Sequence, residues 1–388
     1  MQGFEKKNLI SFALTVAVFI SAEAQHNKKP VSLKDSLDRK LDLSDYVIEV
    51  NGFIPVASII TEPALGGFGL VLAPIFIKKR PPYIDTVNGK VIHTPVQPDI
   101  SGGIGLFTAN GSWGGMAFRS GTLIKSRIKY LVGGGYLNMN MSFYKTFPQI
   151  GEQEMAFNIK TVPIILQGIK RIGFSKWYGG FRYMFMNSKI SFEGEEKFDS
   201  LGTLLESRNV LSELSGIIEL DSRDNIFTPD RGVKFHVDGG CSNQAIGSDY
   251  DFWEANYYSY LYHPLARNLI GGLRIDGQQT FGTVPFYLLP YLDMRGLPVF
   301  RYQGQADILT EAELRWDFRY RWSIMLYSGV GKAFDDWNDF GSAEWINTIG
   351  TGFRYLIARK FKLRMGIDVA RGPEKWAYYI VFGSNWLK

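Results

Sequence analysis

The chain has 388 residues, a formal net charge of +5, 42 glycines and 15% aromatic residues. Its basic residues are scattered along the sequence, so we expect no nucleic-acid partner. The single cysteine, Cys241, excludes a disulfide framework. After residue 24 no run of 18 apolar residues occurs, which excludes a helical membrane protein and leaves a β-barrel open.

Residues 1–24 have the pattern of a secretory signal peptide. Lys6 and Lys7 precede an apolar run from Leu9 to Ile20, and the small residues Ala22 and Ala24 occupy the usual cleavage positions. The run is shorter than the roughly 20 apolar residues that a spanning helix needs. We therefore predict export and cleavage after Ala24.

Residues 25–50 are predicted to form a short periplasmic N-terminal segment. The stretch is polar, and its leucines and charges are spaced for a short amphipathic helix or a loose plug. These residues are Leu33, Leu37 and Leu41 with Lys34, Asp38 and Asp42. Since a domain usually needs about 50 residues, we expect residues 51–388 to form one unit.

Fifteen strand candidates follow, separated by turn residues. They are Gly66–Ile77, Ser101–Ala109, Trp113–Ile124, Ile128–Tyr144, Phe157–Ile169, Trp177–Met186, Leu211–Arg223, Arg231–Gly240, Phe252–Tyr262, Leu269–Gln278, Asp307–Phe318, Trp322–Phe334, Thr348–Leu356, Phe361–Ala370 and Trp376–Leu387. A single-chain bacterial barrel has an even number of strands. We therefore expect 14 to 16, with the glycine-rich Ser101–Ala109 as the weakest candidate.

The segment from Thr310 to Trp322 alternates charged and apolar residues. Because strand side chains alternate between faces, one face carries Glu311, Glu313, Arg315, Asp317, Arg319 and Arg321, and the other carries Ala312, Leu314, Trp316, Phe318, Tyr320 and Trp322. A soluble sandwich would bury the apolar face in a core. A polar lumen and an aromatic lipid-facing girdle account for both faces better. The alternation recurs elsewhere, so we predict an all-β, transmembrane antiparallel β-barrel.

Three segments carry motifs beyond this alternation. The first is a hairpin with a charged strand end and a proline turn. The second, from Met294 to Gly304, lies in a long connection between two strands, and the third is the C-terminal strand. The motif residues are Asp221, Arg223, Asp224, Asn225, Pro229 and Gly232 in the hairpin, Arg295 and Gly296 in the connection, and Phe382 and Trp386 in the last strand.

Together and in this order, these segments resemble the outer membrane protein 85 superfamily, the bacterial surface antigens related to BamA and TamA. The resemblance covers roughly residues 50 to 388. The stretch from Phe53 to Leu70 is similar to the first strand of a short branch that lacks the periplasmic POTRA domains.

The resemblance implies that the loop bearing Arg295 and Gly296 folds into the lumen, where its arginine meets acidic groups on the wall. The acids after the loop are Glu311 and Glu313, and a guanidinium can contact a carboxylate through two hydrogen bonds. The alternative is an ordinary solvated charge. Many relatives carry an aspartate in the next strand, where this chain has Gly329. The acidic partner of Arg295 must then be Glu313 or Asp317, which flank Arg315 on the same inward face.

The C-terminus departs from the superfamily pattern as well. Relatives usually end on an aromatic residue that the assembly machinery reads. Here Trp386 is followed by Leu387 and Lys388. We expect recognition of this terminus to be imperfect.

The resemblance implies insertion or translocation of proteins at the outer membrane, through a lumen gated by the Arg295 loop and a weakly paired seam between first and last strands. It implies as partners outer-membrane lipid, unfolded outer-membrane protein clients and a periplasmic protein. The alternatives are a small-solute pore, a lipid-handling barrel and an outer-membrane lipase. No G-x-S-x-G motif occurs, and the four histidines have neither metal nor triad spacing. We expect no enzyme, metal or cofactor.

Overall fold

The computed structural model describes residues 32–45, 52–60, 67–78, 80–87, 90–94, 96–147, 151–192 and 207–386. The predicted signal peptide and the last two residues lie outside this set. Sixteen strands form one antiparallel sheet, in which every strand but the first and last pairs with its two neighbours in the sheet. The predicted all-β barrel of 14 to 16 strands is confirmed, with 16.

The strands are β1 Phe53–Ile60, β2 Gly69–Lys78, β3 Tyr83–Val87, β4 Lys90–Thr94, β5 Asp99–Thr108, β6 Trp113–Leu123, β7 Ile128–Phe147, β8 Gly151–Arg171, β9 Trp177–Phe192, β10 Ser207–Asp221, β11 Gly232–Ser242, β12 Phe252–Ala266, β13 Leu269–Gly282, β14 Ala306–Trp316, β15 Trp322–Phe334, β16 Ile346–Ala358, β17 Leu363–Arg371 and β18 Trp376–Phe382. Short 3₁₀ helices span Gln244–Ile246, Phe286–Leu288, Trp337–Gly341 and Arg359–Phe361. Among the described residues, no helix has the length and apolarity to cross a membrane.

Strand β14 shows why these sequences form a two-sided wall. Glu311 and Glu313 point inward and are buried, whereas Leu314 and Trp316 point outward and are exposed. One face is therefore polar and the other apolar, as in the wall of a transmembrane barrel. The strand ends at Trp316, so the predicted alternation stops there and Arg321 lies in the following turn.

Other sequence-based expectations need correction. The weakest candidate, Ser101–Ala109, is a true strand, β5. The sixteenth strand is β1, which pairs with β2 and lies in the stretch that resembled a first strand. The hairpin β3–β4 was not predicted and forms its own sheet. Of the short helix and the loose plug that were predicted near Leu33, the helix is wrong, because Lys34 and Leu41 pair across a tight turn.

Because the sheet has an even number of antiparallel strands, the start of β1 and the end of β18 lie at the same end of the barrel. Among the described residues, most of the short turns also lie at this end, at 124–127, 172–176, 267–268 and 359–362, whereas the other end has two, at 109–112 and 372–375. Outer-membrane barrels have their short turns on the periplasmic side, so we call the end with most of these turns the periplasmic end.

The first and last strands of the sheet meet at a seam. In the described residues β1 pairs only with β2, and β18 pairs only with β17. No β-ladder joins β1 to β18 in this part of the chain. Both strands are short, with 8 and 7 residues respectively.

Candidate functional site in the barrel lumen

The connection between β13 and β14, residues 283–305, folds back into the barrel. Its two arms pair with each other, since the Leu292 amide donates to the Tyr302 carbonyl at 3.0 Å and the Gly304 amide donates to the Pro290 carbonyl at 3.1 Å. Leu292, Met294 and Leu297 are buried together against the wall. The loop is therefore a packed element of the lumen.

Gly296 lies at the tip of this loop, where the backbone turns tightly. Its φ is +97°, and a Cβ there would lie 3.0 Å from the amide nitrogen of Gly372. Its own amide donates to the Tyr379 hydroxyl at 2.8 Å. Both the positive φ and the close approach require glycine.

The Arg295 side chain packs against the barrel wall beside this turn and contacts three carboxylates. Its Nη1 lies 2.9 Å from Glu313 Oε2 and 3.2 Å from Asp368 Oδ2, and its Nε lies 3.5 Å from Glu311 Oε1. The side chain is 1% exposed. A buried guanidinium needs such partners, because an unpaired charge away from water is costly.

Arg295 also lies over an aromatic ring. Its Cζ is 3.5 Å from the centroid of Tyr327, whose hydroxyl donates to the Val369 carbonyl at 3.0 Å. The ring is therefore held in place by β17 while it covers the cation. Stacking on an aromatic face fits arginine better than lysine.

The sequence analysis missed Asp368 as a partner of Arg295. Asp368 lies on the inward face of β17 and also accepts two hydrogen bonds from Arg354, at 2.5 and 2.9 Å. Its place on a charged, alternating face was visible in the sequence, but its position opposite the loop was not. At Gly329, a Cβ would lie 2.9 Å from Glu311 Cγ and 3.0 Å from Met294 Sδ. An aspartate has no room there.

Glu311 is fully buried and joins the loop to the wall through a second arginine. Arg274 Nη1 donates to Glu311 at 2.8 Å and to the Asp293 carbonyl, on the loop, at 2.9 Å. Its Nη2 donates to Asp276 at 2.5 Å. Loop backbone and wall carboxylates are thus held by the same guanidinium.

The structure does not bring Arg315 and Asp317 to Arg295. They form a separate cluster near the periplasmic end, where Arg315 contacts Asp317 at 3.1 Å and also pairs with Asp230. Asp317 accepts from the Ser323 hydroxyl at 2.6 Å and lies 3.3 Å from Arg364. Of the two residues expected to replace the missing aspartate, Glu313 contacts Arg295 and Asp317 does not.

Charged residues of the hairpin motif form hydrogen bonds to one another. Arg223 makes two hydrogen bonds to Asp221, at 3.0 and 2.9 Å. Asp224 accepts from the Arg231 amide at 3.2 Å and from Lys362 at 2.8 Å. The motif therefore shapes a ten-residue loop, residues 222–231, and ties it to the turn before β17.

Asn225, Pro229 and Gly232 complete this loop. The Asn225 side chain accepts from the Phe227 amide at 2.8 Å and donates to the Phe361 carbonyl at 3.1 Å. Pro229 is buried, and its carbonyl accepts from Arg315 at 3.2 Å. Gly232 has a φ of +115°. Together with residues of the adjacent turns, the loop lines a cavity of about 740 Å³ at the periplasmic end.

The C-terminal residues correct the sequence-based prediction most clearly. Strand β18 ends at Phe382, and Gly383 has a φ of +82°, which turns the chain inward. Trp386 was predicted to lie in the last strand together with Phe382. Instead it is 2% exposed inside the barrel and its Nε1 donates to Glu311 at 3.1 Å.

Neighbouring aromatic rings hold Trp386 in the lumen. The rings of Tyr260 and Tyr262 lie 5.9 and 5.8 Å from it, and the Tyr262 hydroxyl contacts the Ser384 hydroxyl at 2.9 Å. The Ser384 amide also donates to the Phe227 carbonyl at 2.5 Å. The C-terminus, the hairpin loop and the lumenal loop therefore meet in one network.

No protein-family model matches the sequence, and no curated protein is similar to it. Solved structures do match. BamA from Haemophilus ducreyi lacking POTRA domains 1–3 is 13% identical, with a TM-score of 0.55 over 84% of this chain and 68% of that one. CdiB from Escherichia coli is 10% identical, with a TM-score of 0.56 over 84% of this chain and 62% of that one. CdiB from Acinetobacter baumannii is 10% identical, with a TM-score of 0.52 over 84% and 57%.

The likeness to these structures concerns the fold. The barrel fold that the motif resemblance implied is confirmed, because the BamA and CdiB structures share it. This chain spans less than two thirds of the length of either CdiB chain.

Proposed function

We propose that this chain is a nonenzymatic outer-membrane barrel that inserts or translocates client proteins, with a lumen gated by the Arg295–Gly296 loop. Its partners would be unfolded outer-membrane protein clients, outer-membrane lipid and a periplasmic protein. The seam between β1 and β18 is the observation that carries the proposal.

A barrel in lipid normally pairs every strand, because lipid cannot satisfy backbone hydrogen-bonding groups. Here the two edge strands lack a shared ladder in the described part of the chain. The last strand also stops at Phe382, since Gly383 leads the chain inward. An unpaired edge can accept an added strand from another chain. The seam thus offers a client strand a place to pair.

The lumenal loop supports protein handling over a steady small-solute pore. A pore needs a continuous water-filled path, whereas the loop buries Met294, Arg295 and Leu297 inside the barrel. Arg295 is held by carboxylates on two different strands, β14 and β17. Conduction of ions through the lumen would require the contacts of Arg295 with these carboxylates to break.

The experiment locks the seam and measures client handling. In a Cys241→Ala background, Ile54→Cys in β1 is combined in turn with Ile380→Cys, Val381→Cys and Phe382→Cys in β18, and the pair that oxidises is used. Proteoliposomes containing this protein are given an unfolded outer-membrane barrel, and its insertion is followed by protease resistance. We expect oxidation to abolish the acceleration over empty liposomes and reduction to restore it.

The matched control is a disulfide that does not cross the seam. Ile367 on β17 and Ile380 on β18 are register partners, so a disulfide there joins two strands that already pair. We expect this control to retain activity when oxidised. Equal insertion by the oxidised and reduced forms of the seam variant would overturn the proposal.

A further inference from the structure

Residues 32–45, which we call the N-terminal clasp, are fixed to the barrel by Arg321. This arginine contacts Asp35 and Asp38 at 2.5 Å each and Asp42 at 2.9 Å. It also donates to the Leu356 carbonyl at 2.9 Å. One guanidinium in the turn after β14 therefore gathers three carboxylates of the clasp.

A second set of contacts holds the clasp to the turn after β16. Arg359 donates to Asp35 at 2.6 and 3.0 Å, and the Leu43 amide donates to the Ile357 carbonyl at 2.7 Å. The Lys360 amide donates to the Ser44 hydroxyl at 3.0 Å. The clasp is thus fixed by charged and backbone bonds at the periplasmic end.

The clasp crosses the outer wall of the barrel. The Tyr355 hydroxyl donates to the Leu41 carbonyl at 2.9 Å. Tyr355 alternates on β16 with the inward Arg354, and its ring lies 4.9 Å from the outward Trp322. Leu41 therefore lies against the aromatic girdle on the lipid-facing side.

The face of the clasp that points away from the barrel is apolar and basic. Leu33, Leu37 and Leu41 are 40%, 69% and 49% exposed, whereas Asp35 and Asp42 are buried against the barrel. Lys34, Arg39 and Lys40 are exposed as well. The acidic groups thus face Arg321, and the leucines and basic residues face outward.

We propose that the N-terminal clasp is an interfacial membrane anchor, whose leucines insert into the phospholipid leaflet at the periplasmic end. Its exposed face continues the girdle formed by Tyr320 and Trp322, which are themselves exposed. Leucine with lysine and arginine is the composition of segments that lie in the headgroup region, and basic side chains are attracted to lipid phosphates. The inference depends on the outer-membrane placement of the barrel and does not depend on protein handling.

The test places an environment-sensitive fluorophore on the clasp. Leu37→Cys, in a Cys241→Ala background, is labelled with nitrobenzoxadiazole and reconstituted into phosphatidylcholine vesicles. The control is Lys375→Cys, an exposed position in the turn before β18 at the opposite end. We expect the label at position 37 to emit at shorter wavelength, to be several-fold less quenched by aqueous iodide, and to be quenched by doxyl-labelled lipid.

Two results would overturn the proposal. One is iodide quenching as strong at position 37 as at position 375. The other is protection from iodide without quenching by doxyl-labelled lipid, because protein would then cover the leucines. Leu33→Ser with Leu41→Ser should restore iodide access at position 37 while leaving the Arg321 contacts in place.

A second comparison, between vesicles with and without an anionic lipid, tests the exposed basic residues of the clasp. Adding phosphatidylglycerol to the vesicles should reduce iodide quenching at position 37 further. Lys34→Gln, Arg39→Gln and Lys40→Gln together should remove this added protection. An unchanged response to phosphatidylglycerol in this triple variant would contradict the role assigned to these residues.

Discussion

Arg295 donates a hydrogen bond of 3.2 Å to Asp368, a residue 73 positions later in the chain. The lumenal loop is thereby fixed to β17 as well as to Glu313 on β14. Asp368 provides a carboxylate that the superfamily pattern placed two strands earlier, at the position of Gly329. The loop is therefore held by the last part of the barrel, close to the seam.

Arg295→Ala should release the loop. Removing one partner of a buried ion pair leaves uncompensated charges and costs about 3–5 kcal/mol. In planar bilayers we expect a nearly closed wild-type channel and a larger, fluctuating conductance in the variant.

Arg301→Ala is the control for this change. Arg301 lies in the same loop but pairs with the exposed Glu374, and an exposed pair contributes about 0–1 kcal/mol. Its conductance should stay close to that of the wild type. Equal conductances for wild type and Arg295→Ala would contradict the loop's gating role.

Gly329→Asp tests why this chain departs from the superfamily pattern. The new side chain would collide with Glu311 and Met294 and add a further carboxylate to an acidic wall. Overpacking of this kind typically costs about 1–3 kcal/mol. Urea unfolding in lipid should show the loss, with a smaller loss for Gly329→Ala. A Gly329→Asp protein as stable as the wild type would show that the wall can accommodate both acids.

We expect Trp386 to stabilise the protein through its contacts inside the lumen and not through the lipid-facing surface. Trp386→Ala removes the packing on Tyr260 and Tyr262 and the hydrogen bond to Glu311, so we expect a loss of about 3–5 kcal/mol. Trp386→Phe keeps most of the packing and loses one hydrogen bond to a carboxylate that Arg274 still pairs, so it should cost less, about 1.5–3 kcal/mol. Heat stability on unboiled gels would rank the two variants. Equal losses would assign the effect to the hydrogen bond to Glu311 and leave none for the packing.

The N-terminal clasp should stay bound to the barrel at neutral pH and detach from it in acid. Hydrogen bonds from Arg359 hold the pKa of Asp35 well below its ordinary value of 3.8, and hydrogen bonding to Arg321 lowers the pKa of Asp38. A depressed pKa contributes stability above the ordinary value, and this stability is lost as pH falls through the folded-state pKa. The label at position 37 should therefore keep its emission from pH 8 to pH 5 and change only below about pH 4. A transition near pH 6 would contradict this account.

Sequence alternation predicted the wall well, because period-two patterning reports directly which face meets water. It placed Glu311 and Glu313 inward, whereas the lumenal loop with Arg295 and Gly296 was implied by the resemblance to the superfamily. Alternation could not identify Asp368 as a partner of Arg295. That contact depends on how far the loop extends into the lumen and on the register of the paired strands from β14 to β17. Spacing along the chain contains neither quantity.

The misplaced elements share a different cause. Trp386 was included in the strand candidate Trp376–Leu387, but the positive φ of Gly383 ends the strand first. The leucine spacing near Leu33 left a helix or a loose plug open, yet Asp35 accepts from the Leu37 amide at 3.1 Å and stabilises a turn instead of a helix. Aspartate competes for backbone groups in this way. In both places a local backbone preference overrode the periodic pattern.

The most direct test of protein handling is crosslinking at the seam in living cells. A photoreactive amino acid at Ile54 in β1 is compared with one at Ile218 in β10, a 53% exposed position away from the seam. We predict adducts with unfolded client polypeptides at position 54 and none at position 218. Absence of protein adducts at position 54, or the same adducts at both positions, would contradict the proposed function.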